Sequence, residues 1–158
     1  MNPGIITTGV PPIAKYLVFP FPRLQAKLFG DPEFRSNFLR RSFVNPSIVT
    51  DDVVRDLSLT ARSEGYLRGM TALMGQYSDA DEVRLLPQLK VPSLIVWGAQ
   101  DRGKPAGEFD ELKAMLPLNT AVLVPTSGHY VQEEAPKETA AAMLAFVDRI
   151  MPIPGQKM

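Results

Sequence analysis

Two uninterrupted apolar runs constrain this chain more than anything else in it. Ser93-Leu94-Ile95-Val96-Trp97 ends at Gly98, and Ala121-Val122-Leu123-Val124 ends at Pro125. Short runs of this kind, bounded by Gly and Pro, read as strands. Neither alternates apolar with polar residues, so each is expected to be buried on both faces, as in a parallel sheet. Between them, residues 106–116 carry Phe109, Leu112 and Leu116 on one helical face. After the second run, residues 136–150 carry Ala142, Leu144, Phe146, Val147 and Ile150 at helical spacing. The order is β-α-β-α, and a helix joining two strands implies that they run parallel. Two parallel strands make a poor sheet, because their outer edges need pairing. At most a fragment of a third strand is visible, at residues 4–8. The chain therefore reads as α/β, with its strands at the edge of a larger sheet whose remainder is absent.

The upstream half has another character. Of 158 residues 15 are proline, many of them within residues 3–46, so short helices broken by turns are expected there. Residues 13–29 hold apolar positions at helical spacing, interrupted near Pro20 and Pro22, with Gly30 as a stop. Asp31-Pro32-Glu33 has the pattern of an N-cap, a first-position proline and an acidic first turn. The helix it opens is expected to bury Phe34, Phe38 and Leu39 and to end near Phe43. Thr50 opens another, with Asp51 and Asp52 against the helix dipole and Val53, Val54, Leu57 and Ala61 as its apolar stripe. Ser63 is expected to cap a further helix that turns Leu67, Met70, Leu73, Met74 and Tyr77 inward. The organisation expected is the end of a strand at 1–9, a helical region at 10–85, the strand-bearing part at 86–151 and a tail at 152–158.

Charge and composition remove several function classes. Lys and Arg total 17 and so do Asp and Glu, so nothing draws the chain to nucleic acid or to an anionic membrane. There is no cysteine, which excludes disulfides and thiolate metal sites and fits a reducing compartment; a cytoplasmic location is expected. Met1-Asn2-Pro3-Gly4 has no basic or apolar leader character, and no apolar stretch approaches the ~18 residues of a membrane span. Asp51-Asp52 and Glu133-Glu134 are expected to be surface residues favoured at helix starts, not metal ligands. Asp79-Ala80-Asp81-Glu82 lacks the glycine and closing glutamate of a calcium loop, and Gly103-Lys104-Pro105 lacks the frame of a phosphate loop. No metal or organic cofactor is expected.

Chemistry concentrates in two loops. Asp101 lies four residues beyond the first strand, and His129, the only histidine, lies five beyond the second. Parallel strands place both loops at one sheet edge, where open α/β sheets carry their sites. An Asp on one loop can then accept the Nδ1 proton of a His on the next, which fixes the tautomer and orients Nε2 toward a nucleophile or water. Gly98 and Gly128 are expected to let each loop turn sharply. Taken singly, each residue has a blander reading. A lone His is more often structural or solvated, and Asp in Gln100-Asp101-Arg102-Gly103 is more often a turn residue. The matched placement after two buried strands favours the pair.

These residues carry a resemblance. Val91 to Arg102, then Ser127-Gly128-His129-Tyr130, then Glu134-Ala135-Pro136-Lys137-Glu138 resemble the C-terminal part of α/β-hydrolase-fold enzymes, over about residues 85–150. The resemblance implies the seventh strand with the triad acid, Asp101, a helix, the eighth strand with the triad histidine, His129, and the last helix. It implies that residues 10–85 are the helical cap and residues 1–9 the end of the sixth strand. It also implies a hydrolase acting on ester-like, epoxide or carbon–halogen bonds through a nucleophile–His–Asp triad. Gln132-Glu133-Glu134 is similar to the haloalkane dehalogenase and epoxide hydrolase branch, whose nucleophile is Asp; a carboxylesterase or lactonase parent stands equally open. The sequence departs from the family in what it lacks. No Gly-x-[Ser/Asp/Cys]-x-Gly elbow and no upstream His-Gly oxyanion loop occurs. Ser127 is on the wrong loop and too near His129 to take the nucleophile's place. Loss of nucleophile, oxyanion hole and most of the sheet together is the pattern of a truncation.

Three functions follow from this reading. The chain is the cap and C-terminal part of a hydrolase, inactive alone; or a half that regains activity with a complementing N-terminal half; or a non-catalytic module that binds an apolar ligand or a partner. The expected partners are a small apolar or ester-like substrate and, through the open strand edge, a second copy or the complementing half.

Overall fold

The computed structural model describes Ile6, residues 20–75 and residues 81–151. The strand fragment expected at 4–8 (apart from Ile6), the helical positions before residue 20, Tyr77 and the tail at 152–158 lie outside the described residues. The described residues fall into two compact units, one of Ile6 with 81–151 and one of 20–75.

The first unit is built on the two apolar runs. Strand β1 spans Ser93–Gly98 and β2 spans Asn119–Val124. They pair in parallel, in register from Ser93 opposite Asn119 to Gly98 opposite Val124. Helix α5 (Glu108–Met115) connects them, and the single turn α6 (Val131–Glu134) and helix α7 (Pro136–Ile150) follow. Alternate residues of β1 serve opposite faces. Ile95 and Trp97 pack with Leu112 and Leu116 of the α5 segment and with Leu86, with Ile6 against the same cluster. Val96 packs with Val124, Val131 and Ala135, with Ala142 of α7 beside them. Helices thus cover both faces, which is why β1 needs no polar residue and reads as a continuous apolar run. Leu112 is almost fully buried, and its loss would leave a cavity costing about 2–5 kcal/mol.

Strand β2 departs from the expectation. Leu123 is 48% exposed. It falls on the α5 face of the sheet with Ala121, beyond the part of that face the cluster covers. Helix α5 also begins later than residue 106. Gly107 takes a left-handed backbone, φ 92°, which a helix cannot contain, so the first helical residue is Glu108. Two short elements were not expected from the sequence: α6, and the 3-10 segment Asp81–Gln88, which delivers Leu86 to the core.

The second unit is helical: α1 (Phe21–Gly30), α2 (Pro32–Ser42), α3 (Asp51–Leu57) and α4 (Tyr66–Gly75), with 3-10 turns at Pro46–Ile48 and Leu59–Arg62. The Asp31 side chain accepts the Phe34 N–H at 2.8 Å, so it caps α2 as its sequence implied. The Thr50 hydroxyl likewise accepts from the Val53 N–H. Phe38 is not buried as expected; it is 46% exposed and stacks on Phe34 while meeting Phe29 edge-on. Leu39 takes the inward position. Ser63 does not cap α4 with its side chain. Its hydroxyl donates back to the Thr60 carbonyl, and the left-handed Gly65 delays the helix to Tyr66. Leu73 faces outward at 67% exposure. No described helix is long and apolar enough to cross a membrane.

Candidate active site

The parallel register carries β1 and β2 to the same edge, and both chains leave the sheet there. Gly98 decides how closely they run. A methyl group at its Cα would come within 2.1 Å of the Gly128 carbonyl oxygen and 2.6 Å of that of Ser127. Glycine is required at 98 by this approach of two backbones. Gly98 also heads a tight turn, closed by the Asp101 N–H donating to its carbonyl at 3.2 Å, but neither Gly98 nor Gly128 has positive φ, so the turn itself does not demand glycine. Beyond Gly98 the two loops are stitched by the Ala99 N–H donating to Val124, the Gln100 N–H donating to Ser127 and the Gln100 side-chain amide donating to Pro125, each at 2.9 Å.

This stitching sets Asp101 beside His129, as the sequence led one to expect. His129 Nδ1 lies 2.9 Å from Asp101 Oδ2. A carboxylate only accepts, so the proton of this bond sits on Nδ1, and in the neutral ring Nε2 is then the lone-pair nitrogen. The Asp101 side chain is 1% exposed, whereas that of His129 is 37% exposed. A shielded anion therefore holds an imidazole that still meets solvent. The other carboxylate oxygen, Oδ1, accepts the Gly103 N–H at 2.7 Å. The turn reading and the catalytic reading of Asp101 are thus compatible, one on each oxygen. The Tyr130 and His129 rings meet edge to face, 5.2 Å between centroids.

Glu134 corrects an expectation. It was expected on the surface at a helix start, but it is half-buried, and its Oε1 accepts the Gly128 N–H at 2.9 Å. The turn α6 makes this reach possible by folding residues 131–134 back over the histidine loop. Thr139 Oγ1 donates to the Val131 carbonyl, tying α6 to α7. The spacing of Gly128 and Glu134 gives no periodic signal; only the turn between them brings the two together. Ser127 is fully buried, with its hydroxyl directed to the Val124 carbonyl at 3.5 Å. Asp51 and Asp52 form exposed pairs with Arg40 and Arg55. No group of three or more possible metal-ligating side chains occurs among the described residues.

Comparison with known proteins bears on this arrangement. A sequence model described as the Alpha/beta hydrolase family matches residues 1–142. The dihydrolipoyllysine-residue acetyltransferase component of the acetoin cleaving system of Pseudomonas putida is 31% identical over 110 residues, covering 66% of this chain and 28% of that protein. Among solved structures, a thermophilic esterase from Thermogutta terrifontis (malate bound) superposes with a TM-score of 0.67 at 22% identity, over 89% of this chain and 52% of that one. An alpha/beta hydrolase enzyme from a Medee basin deep-sea metagenome library gives a TM-score of 0.61 at 23% identity, over 94% and 53%. Identities this low show a shared fold. The chain spans about half the length of these solved structures and under a third of that of the Pseudomonas putida protein.

Proposed function

Because the chain belongs to the alpha/beta hydrolase family, we propose that Asp101 and His129 are the acid and base of a nucleophile–His–Asp triad. The reaction is hydrolysis of an ester-like, epoxide or carbon–halogen bond. The carrying observation is the 2.9 Å approach of a shielded carboxylate to a half-open imidazole, at the ends of two adjacent parallel strands. In this reading Nε2 of His129 takes a proton from the water that attacks the covalent intermediate, and Asp101 stabilises the imidazolium that forms. With a hydroxyl nucleophile the same nitrogen also accepts the proton of the first step; with a carboxylate nucleophile it acts in the second alone. The nucleophile comes from outside these residues, since the sequence contains no elbow motif. By the same reading, residues 10–85 are the cap region of the family.

A complementing half or a second copy is the partner this reading requires. The exposure of Met143, Leu144, Val147 and Ile150 on α7 supports it. Apolar side chains gathered on one element in this way mark interaction surfaces. A non-catalytic module that uses the same surface for binding is the alternative.

The test is hydrolysis of short p-nitrophenyl esters by the purified chain, alone and mixed with a separately produced segment bearing sheet strands and a Gly-x-Ser-x-Gly elbow. The chain alone is expected to be inert. The mixture is expected to turn over, and His129→Ala or Asp101→Ala to lower the rate by about 10⁴-fold or more. Turnover by the mixture that ignores both substitutions would refute the triad assignment. Turnover by the chain alone that requires His129 would refute the external nucleophile.

A further inference from the structure

The loop that carries Asp101 is exposed almost throughout. Of residues 99–107 only Asp101 and Lys104 are withdrawn from solvent. Lys104 is the unexpected one, because a lysine side chain is seldom buried without a partner. Its side chain is 4% exposed, and its Nζ lies 3.3 Å from Oε1 of Glu108, whose side chain is 3% exposed. A buried ion pair is a poor source of stability, since apolar side chains of the same shape serve as well or better. What such a pair supplies is direction, because a buried charged donor drawn away from its acceptor is strongly disfavoured.

Its position gives that direction a use. Lys104 directly follows Gly103, whose N–H holds Oδ1 of Asp101 at 2.7 Å. Glu108 is the first residue of α5, and α5 is anchored to the sheet through Leu112. Between them stand Pro105 and the left-handed Gly107, which fold the loop back so that residue 104 meets residue 108. A continuous chain of packed and bonded groups runs from the core through Leu112, Glu108, Lys104 and Gly103 to Asp101, and from Asp101 to His129. We propose that the Lys104–Glu108 pair is the clasp that fixes the acid loop, making both residues positioning residues for the Asp101–His129 hydrogen bond. The inference rests on the reading of that bond as the working acid–base pair.

The chain's single histidine makes the test direct. The tautomer of neutral His129 is read from imidazole ¹⁵N shifts of the full chain at alkaline pH. The wild type is expected to show the Nδ1–H form, and Asp101→Ala to move the ring to the Nε2–H form preferred in water. Lys104→Met is expected to raise the Nε2–H share at least twofold. Lys104→Met combined with Glu108→Gln leaves neither member of the pair charged, so it folds where the single variant does not, and it is expected to raise that share equally. A folded double variant with the wild-type ratio would overturn the clasp. If Asp101→Ala itself left the ratio unchanged, the fault would lie with the Asp101–His129 reading and not with the clasp.

Discussion

Replacing Gly98 by Ala adds only a methyl group, yet it should undo the site. The new methyl would stand 2.1 Å from the Gly128 oxygen, 2.6 Å from the Ser127 oxygen and 2.8 Å from the Gly128 carbonyl carbon. A carbon and a carbonyl oxygen settle at about 3.3 Å or more, so the two backbones must part by more than ~1 Å. No flexible side chain can absorb this, since every atom met is main chain. The hydrogen bonds of Ala99 to Val124 and of Gln100 to Ser127, at 2.9 Å, would stretch beyond hydrogen-bonding distance. Two such bonds at about 1 kcal/mol each, with about 1–2 kcal/mol of overpacking strain, put the loss near 3–4 kcal/mol. Trp97 is the only tryptophan, is buried and immediately precedes the mutated residue, so its fluorescence reports the transition. With a urea slope of about 1.5 kcal/mol/M, the midpoint should fall by about 2 M, or the unit should not fold. Where it folds, the imidazole ¹⁵N shifts should show His129 no longer bonded to Asp101. A midpoint within about 0.3 M of wild type, less than ~0.5 kcal/mol on that slope, would refute the argument that backbone approach dictates glycine here.

Other sites give smaller, separable effects. Glu134→Ala should cost about 1–3 kcal/mol in the same urea experiment, because it orphans the Gly128 N–H. Glu134→Gln keeps an acceptor and should cost clearly less. Asp31→Ala removes the cap of α2 and should cost about 1 kcal/mol, followed by helical circular dichroism on heating, with no effect on the His129 tautomer. Gly69→Ala should stabilise α4 by roughly 0.5–1 kcal/mol, since a methyl there meets nothing within 4 Å and Gly69 has no positive φ; a lower melting temperature would refute this.

What could be read from the sequence was what depends on near neighbours in the chain. Period and composition of 93–97, 106–116, 121–124 and 136–150 pointed to strands and helices in the right order, because a segment buried on both faces must be apolar throughout. Asp31 and Thr50 were legible as caps because capping is completed within three residues. Asp101 and His129 were legible because parallel pairing carries two strand ends to one edge, whatever lies around them. Tertiary structure decided the rest. Exposure of Leu123, Phe38 and Leu73 depends on where packed neighbours stop, which a periodic pattern does not contain. The need for Gly98 comes from the backbone of residues 127–128, distant in the chain and adjacent only once the strands have paired. Glu134 looked like an ordinary surface charge and nothing in the sequence singled out Lys104 as buried, since a charge is soluble by default and becomes structural only when folding withdraws both it and its partner from water.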